Sequence, residues 1–308
     1  MKAFAPIANQ EDSFGLIYCD GGALQLQTAM HFAWIGGRTC PSEGWDRVDR
    51  QRLYRRLPLI SALDDITDRV IYRDFIRHPT FDEYWKSYSL KPRYGDVDVP
   101  ALFISGWYDN FIHEVIKTFR GWREEARSEE TRRQTKLLVG PWPHMLVGSD
   151  TPFGCVNFGA GSGIDLVDTQ LRWFDRRLRG IEKGVDDEPA VRLFVIGENV
   201  WRDEHDWPLA RTQRARFYLH SQGGANSLFG NDLLSNRLPA DEPPDGYVYD
   251  PADPVPTLGG QSLLLEDAGP RDRRPVERLA RVHERAARCG PGGDGAARTR
   301  AVRRIDRG

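Results

Sequence analysis

Several things are missing from these 308 residues, and each absence closes a class of function. No stretch approaches the roughly 18 consecutive apolar residues that a membrane-spanning helix needs. The opening residues, Met1-Lys2-Ala3-Phe4-Ala5-Pro6, lack the long apolar run of a secretory signal. The four cysteines, at positions 19, 40, 155 and 289, include no Cys-x-x-Cys pair, so neither a zinc site nor a disulfide framework is indicated. A cytoplasmic location, with no membrane partner, is the reading these absences favour. Lysine is scarce, six residues against 37 arginines, which suggests a GC-rich coding sequence. The formal net charge of −2 argues against a general affinity for nucleic acid.

What is present suffices for folded cores. The chain is 40% hydrophobic with nine tryptophans, and its length allows two domains of ordinary size. One segment stands apart. Residues 278–308 hold nine arginines and three acids, a charge of +6, which leaves −8 on the remainder. That tail has no Trp, Tyr or Phe. It reads as the product of a shifted reading frame, disordered or helical without a core, rather than as a nucleic-acid-binding arm.

Along the chain, residues 3–8 read as a short buried strand. Residues 15–95 mix apolar and charged positions at helical spacing, with Ser61-Ala62-Leu63-Asp64 in the form of a capping box and Asp82-Glu83-Tyr84-Trp85 opening a new helix after His78-Pro79. The texture then changes. Residues 97–106 and 135–141 are short apolar runs bounded by Pro and Gly, as in buried parallel strands. Helical patterns follow each, over 111–127 and 164–180, and strand–helix–strand–helix is the α/β signature. From about Pro189 the pattern is all-β, with 191–196 and 216–219 strand-like.

Chemistry gathers at two strand ends. The first strand runs into Gly106-Trp107-Tyr108-Asp109-Asn110 and the second into Gly140-Pro141-Trp142-Pro143-His144. In open α/β sheets, ligands and catalytic groups collect at the carboxyl ends of strands. An Asp followed by a His on successive strands is the second half of a Ser…Asp…His order. The simpler alternatives are an Asp109 that caps the helix starting near Phe111 and a His144 that is a loop residue. Trp107 and Trp142 flank these loops; they could wall a substrate pocket, and core packing accounts for them equally well. His31 and His78 fall in the helical region with core or surface roles favoured over a pocket role. His113 and Glu114 are adjacent and so point to different helix faces, and His205 reads as structural.

Gly106-Trp107-Tyr108-Asp109, Gly140-Pro141-Trp142-x-His144, Trp201-Arg202-x-Glu204-x-x-Trp207-Pro208, Phe217-Tyr218-Leu219, Tyr249-Asp250-Pro251-Ala252-Asp253-Pro254-Val255-Pro256 and Gly259-Gly260 occur in that order. Together they resemble the cocaine esterase/X-Pro dipeptidyl-peptidase (CocE/NonD) hydrolases over about residues 1–277. The resemblance implies Asp109 as triad acid and His144 as triad base. It implies an α/β fold that is a partial α/β-hydrolase with a helical cap, followed by the start of a β jelly-roll. The expected divisions are 1–14 as a remnant of the hydrolase core, 15–95 as cap, 96–188 as the second half of the core, 189–277 as jelly-roll and 278–308 as tail.

One departure qualifies it. The family's nucleophile sits on a Gly-x-Ser-x-Gly elbow, and no such sequence occurs here. Ser105 shares the acid's strand and Ser162 lacks the spacing. The expectation is therefore a serine hydrolase acting on a small ester or peptide substrate, with no metal or organic cofactor, whose serine lies on a separate N-terminal segment. The alternative is an inactive remnant.

Overall fold

The computed structural model describes residues 2–19, 21–36, 48–66, 70–153, 156–225, 230–246, 251 and 261. The Arg-rich tail and the segment 252–260, with its Pro and Gly motifs, lie outside the described residues. The described residues fall into two compact units, one reaching Ala210 and one beginning at Arg211.

The first unit opens with residues 4–8 running parallel to the first strand, bridged at Phe4 to Ala101 and Ile7 to Ile104. Helices α1 (Phe14–Ile17), α2 (Leu26–Ile35), α3 (Arg50–Leu53), α4 (Val70–Arg77) and α5 (Glu83–Lys86) follow. They bury Met30, Leu53, Tyr72, Phe75 and Trp85 among themselves, forming the expected helical cap with its own core. Asp82 starts α5 by accepting the Tyr84 N–H at 3.1 Å. The anticipated capping box at Ser61 does not form. Leu59–Ser61 is a 3₁₀ turn, the Ser61 hydroxyl bonds back to the Pro58 carbonyl, and Asp64 pairs with Arg73 instead.

Strand β1 (Leu102–Gly106), helices α6 (Ile112–Glu125) and α7 (Glu129–Gln134), strand β2 (Lys136–Gly140), helix α8 (Leu166–Arg179), and strands β3 (Val191–Val195) and β4 (Val200–Glu204) complete the α/β layer. The sheet order is β1-β2-β3-β4, parallel except for the last pair. Alternation along the strands sorts the side chains onto two faces. Phe103, Leu137, Val139 and Leu193 meet Val115, Phe119 and Trp122 of α6 in one buried cluster. Leu102, Ile104 and Leu138 meet Trp142 and Trp173 in another. Both strands are buried throughout, as the unbroken apolar runs required. Helix α8 is capped by Asp165, which accepts the Asp168 N–H at 2.8 Å, and ends at Gly180 with φ of 69°, a left-handed position suited to glycine.

Two boundaries differ from the sequence reading. Residues 191–204, assigned there to the β domain from 189, hydrogen-bond into the α/β sheet, and the compact unit runs to residue 210. A place in this sheet buries Val191 and Leu193 on one face and Phe194 on the other. Residues 3–8 were expected to form a buried strand. They pair only through β1 among the described residues, and Phe4 and Ile7 are 37% and 41% exposed. The second unit contains an antiparallel hairpin of β5 (Tyr218–His220) and β6 (Leu233–Ser235).

No helix among the described residues is long and apolar enough to cross a membrane. An open parallel edge with exposed Phe4 and Ile7 is a template for further pairing. Sedimentation velocity should therefore show self-association of the chain, reduced in the Ile7→Lys variant; equal sedimentation of the two would remove the edge as its cause.

Candidate active site

The site depends on how closely the ends of β1 and β2 approach. The Trp107 N–H donates to the Gly140 carbonyl at 2.8 Å and the Tyr108 N–H to the Trp142 carbonyl at 3.1 Å. A Cβ on Gly106 would lie 2.0 Å from the Trp142 carbonyl oxygen, and one on Gly140 would lie 2.4 Å from the Trp142 indole. Glycine is needed at both strand ends because backbone and indole occupy the space.

This lacing brings Asp109 and His144 together. Asp109 is fully buried. Its Oδ1 accepts the Phe111 N–H at 2.9 Å, closing an Asx turn into α6. The same carboxylate faces His144 Nδ1 at 3.2 Å from Oδ1 and 3.3 Å from Oδ2. The sequence alternative of Asp109 as the cap of this helix is not realised: Phe111 occupies the N-cap position and no side chain caps the helix, so the Asp109 bond only shapes the turn before it. His144 begins a 3₁₀ turn and keeps its side chain 25% exposed, with its ring stacked on Phe111 at 5.1 Å. A buried carboxylate on Nδ1 fixes the tautomer with the proton on that nitrogen and leaves Nε2 to move a proton.

The two candidate serines are committed elsewhere. Ser105 is fully buried beneath the acid and its hydroxyl donates to Asp109 Oδ2 at 3.5 Å. Ser162 is 2% exposed and its hydroxyl donates to the Gly159 carbonyl at 2.7 Å. Trp142 is 1% exposed and donates its indole N–H to the Ser162 carbonyl. Trp107 is half-buried, stacks toward Trp207 and donates to the Phe194 carbonyl. Core packing is the account of both indoles that these contacts carry.

The cap reaches the site through α2. Phe32 packs on Phe111, the ring beneath His144, at 6.0 Å. Burial, and then the charges of His144 and Arg50, push His31 below the ordinary imidazole range. His31 thus lies within electrostatic range of the dyad, while His78 pairs with Asp82 at 2.7 Å and stacks on Tyr84. Beside Phe32 and Phe111 lies a cavity of about 380 Å³, also lined by Phe4, Ala8, Asn9 and Gln10. The roles of Phe111 as a platform and of Ser105 as a donor to the acid were not read from the sequence, where Phe111 passed as a core position of an amphipathic helix.

Glu11, Asp12 and Glu114 come within 4.8 Å of one another, yet each carboxylate is engaged. Glu11 accepts the Tyr94 hydroxyl, Asp12 the Gly15 N–H, and Glu114 the Lys117 ammonium at 2.7 Å. Lys117 pairs with Glu114, while Glu11 and Asp12 accept neutral donors.

Residues 1–146 match the profile of X-Pro dipeptidyl-peptidase (S15 family), and residues 183–286 match that of the X-Pro dipeptidyl-peptidase C-terminal non-catalytic domain. The second match begins ahead of β3 and β4, which nonetheless bond into the parallel sheet. Cocaine esterase of Rhodococcus sp. (strain MB1 Bresler) is 43% identical over 298 residues, covering 90% of this chain and 50% of that protein. The chain thus spans about half the length of this curated relative. An aminopeptidase from a marine sediment archaeon, Thaumarchaeota archaeon, has a TM-score of 0.63 at 21% identity, covering 83% of this chain and 42% of that one. At that identity the likeness is one of fold.

Two predictions test the site. Gly106→Ala should lower stability to urea by about 1–3 kcal/mol through overpacking, whereas Gly95→Ala, with no atom within 4 Å of the new Cβ, should not. His31, depressed in the folded state, adds stability above its unfolded value of 6.5 that is lost as pH falls through the folded value. The denaturation midpoint of His31→Gln should therefore fall less steeply below that pH than that of the parent chain; parallel profiles would contradict the assignment.

Proposed function

Because the chain belongs to the cocaine esterase/X-Pro dipeptidyl-peptidase (S15) family of serine hydrolases, we propose that it supplies the acid and base of a Ser-His-Asp site that cleaves a small ester or peptide acyl bond. The observation that carries this reading is the buried Asp109 carboxylate facing His144 Nδ1 at 3.2 Å. Asp109 holds the imidazole and stabilises the imidazolium. Nε2 takes the serine proton during attack and returns it to the leaving group.

The nucleophile in this proposal comes from polypeptide outside these 308 residues, either continuous with Met1 or a second chain. The sequence contains no Gly-x-Ser-x-Gly, and Ser105 and Ser162 already donate to other groups. The open edge at residues 4–8 and the neighbouring cavity offer such a segment a strand partner and an apolar seat. Asn110, next to the acid, keeps both polar atoms of its amide buried without a hydrogen bond. That amide is suited to a peptide group of the incoming segment. An inactive remnant is the second reading, favoured by the same absence of an elbow serine.

A fluorophosphonate probe and an activated ester distinguish them. The chain alone should neither label nor show an acyl burst. Mixed with the half of the Rhodococcus cocaine esterase that it does not match, it should label on that half and turn over ester, with His144→Ala lowering turnover by roughly 10⁴-fold. Labelling of the chain alone at Ser105 or Ser162 would refute an external nucleophile. A mixture that forms a stable complex yet stays inert would support the remnant.

A further inference from the structure

Helix α8 is more apolar than its seat on the sheet requires. Leu166 and Trp173 face the sheet, where Trp173 is buried in the cluster with Ile104 and Trp142 and donates its indole N–H to the Phe4 carbonyl at 3.1 Å. On the flank toward β3, ion pairs tie the helix to residues 182–188: Arg172 to Glu188, and Arg176 to Asp186 and, at 2.8 Å, to Glu182. The opposite flank is apolar. Val167, Leu171, Phe174 and Leu178 recur at i, i+4, i+7 and i+11, which places them in one stripe about a quarter-turn from the buried face. Phe174 is half-buried, whereas Val167, Leu171 and Leu178 are 68%, 58% and 52% exposed.

The stripe is continuous with the open strand edge. On the helix Gln170 falls between the buried face and the stripe, and its amide donates to the Ala5 carbonyl at 3.3 Å. The stripe therefore faces the margin formed by residues 4–8, where Phe4 and Ile7 are exposed as well. Single exposed apolar side chains are ordinary on a surface, but a row of them beside an unpaired edge marks a contact. We propose that this stripe is the docking surface for an amphipathic helix of the polypeptide that supplies the serine, an inference that rests on the external nucleophile argued above. A strand that joins a parallel edge must return by a crossover lying on a face of the sheet, and that crossover is usually a helix. A helix set beside α8 at the ordinary interaxial distance of about 8–10 Å would cover Val167, Leu171 and Leu178. Strand pairing at residues 4–8 and helix contact at α8 are then one event, anchored at Leu171 in the middle of the row.

Sedimentation of the full chain mixed with the unmatched half of the Rhodococcus cocaine esterase tests this surface. The parent chain should form a complex. Leu171→Glu, and independently the double variant Val167→Gln with Leu178→Gln, should weaken it roughly tenfold or more by withdrawing apolar contacts from the joint. These side chains are exposed, so the urea midpoints of the variants should match that of the parent. Val70→Glu, an exposed change on cap helix α4, should bind as the parent does. No complex with the parent, or binding undiminished in the stripe variants, would overturn the docking surface. Self-association of the chain alone that Leu171→Glu abolishes would overturn it too, by giving the stripe to a second copy. Fluorophosphonate labelling keeps the two readings apart. A stripe-dependent complex that does not label supports the surface and refutes the external serine, and a labelled complex indifferent to the stripe does the reverse.

Discussion

Everything at the dyad depends on one steric constraint, the passage of Trp142 across the end of β1. Its carbonyl oxygen occupies the place of a side chain on Gly106 and its indole the place of one on Gly140. With both glycines stripped of Cβ, the two loops lace together through backbone bonds, and an Asp and a His 35 positions apart become neighbours. The Asp109–His144 geometry is a by-product of strand ends packed as tightly as backbone allows. The cap then adds a second layer, with Phe32 pressing on Phe111 and Phe111 on the His144 ring.

Much of this was legible because parallel strands advertise themselves. Strands buried on both faces are dominated by apolar residues, so 102–106 and 136–140 stood out despite Ser105 and Lys136, and the groups at their carboxyl ends were obvious candidates. The partnership of Asp109 and His144 followed from chain order and resemblance. Less legible was where one domain gives way to the next. Residues 191–204 alternate like an antiparallel strand pair, which is what β3 and β4 are. Nothing local says that β3 also has a parallel neighbour 54 positions earlier. Polar contacts were harder still. The capping pattern at Ser61 was outcompeted by the Asp64–Arg73 pair, a contact that spacing alone does not reveal.

Helix α8 also bears on the order in which the first unit can assemble. The indole N–H of Trp173 donates to the Phe4 carbonyl, and the Gln170 amide to the Ala5 carbonyl. These bonds span 169 and 165 positions, so Phe4 and Ala5 are tied to residues far along the chain of the same unit. Contacts of such long sequence separation carry a large loop-closure cost and form slowly. The pairing of residues 4–8 with β1 is therefore reinforced only once α8 has docked on the sheet, and until then it rests on the strand contacts alone.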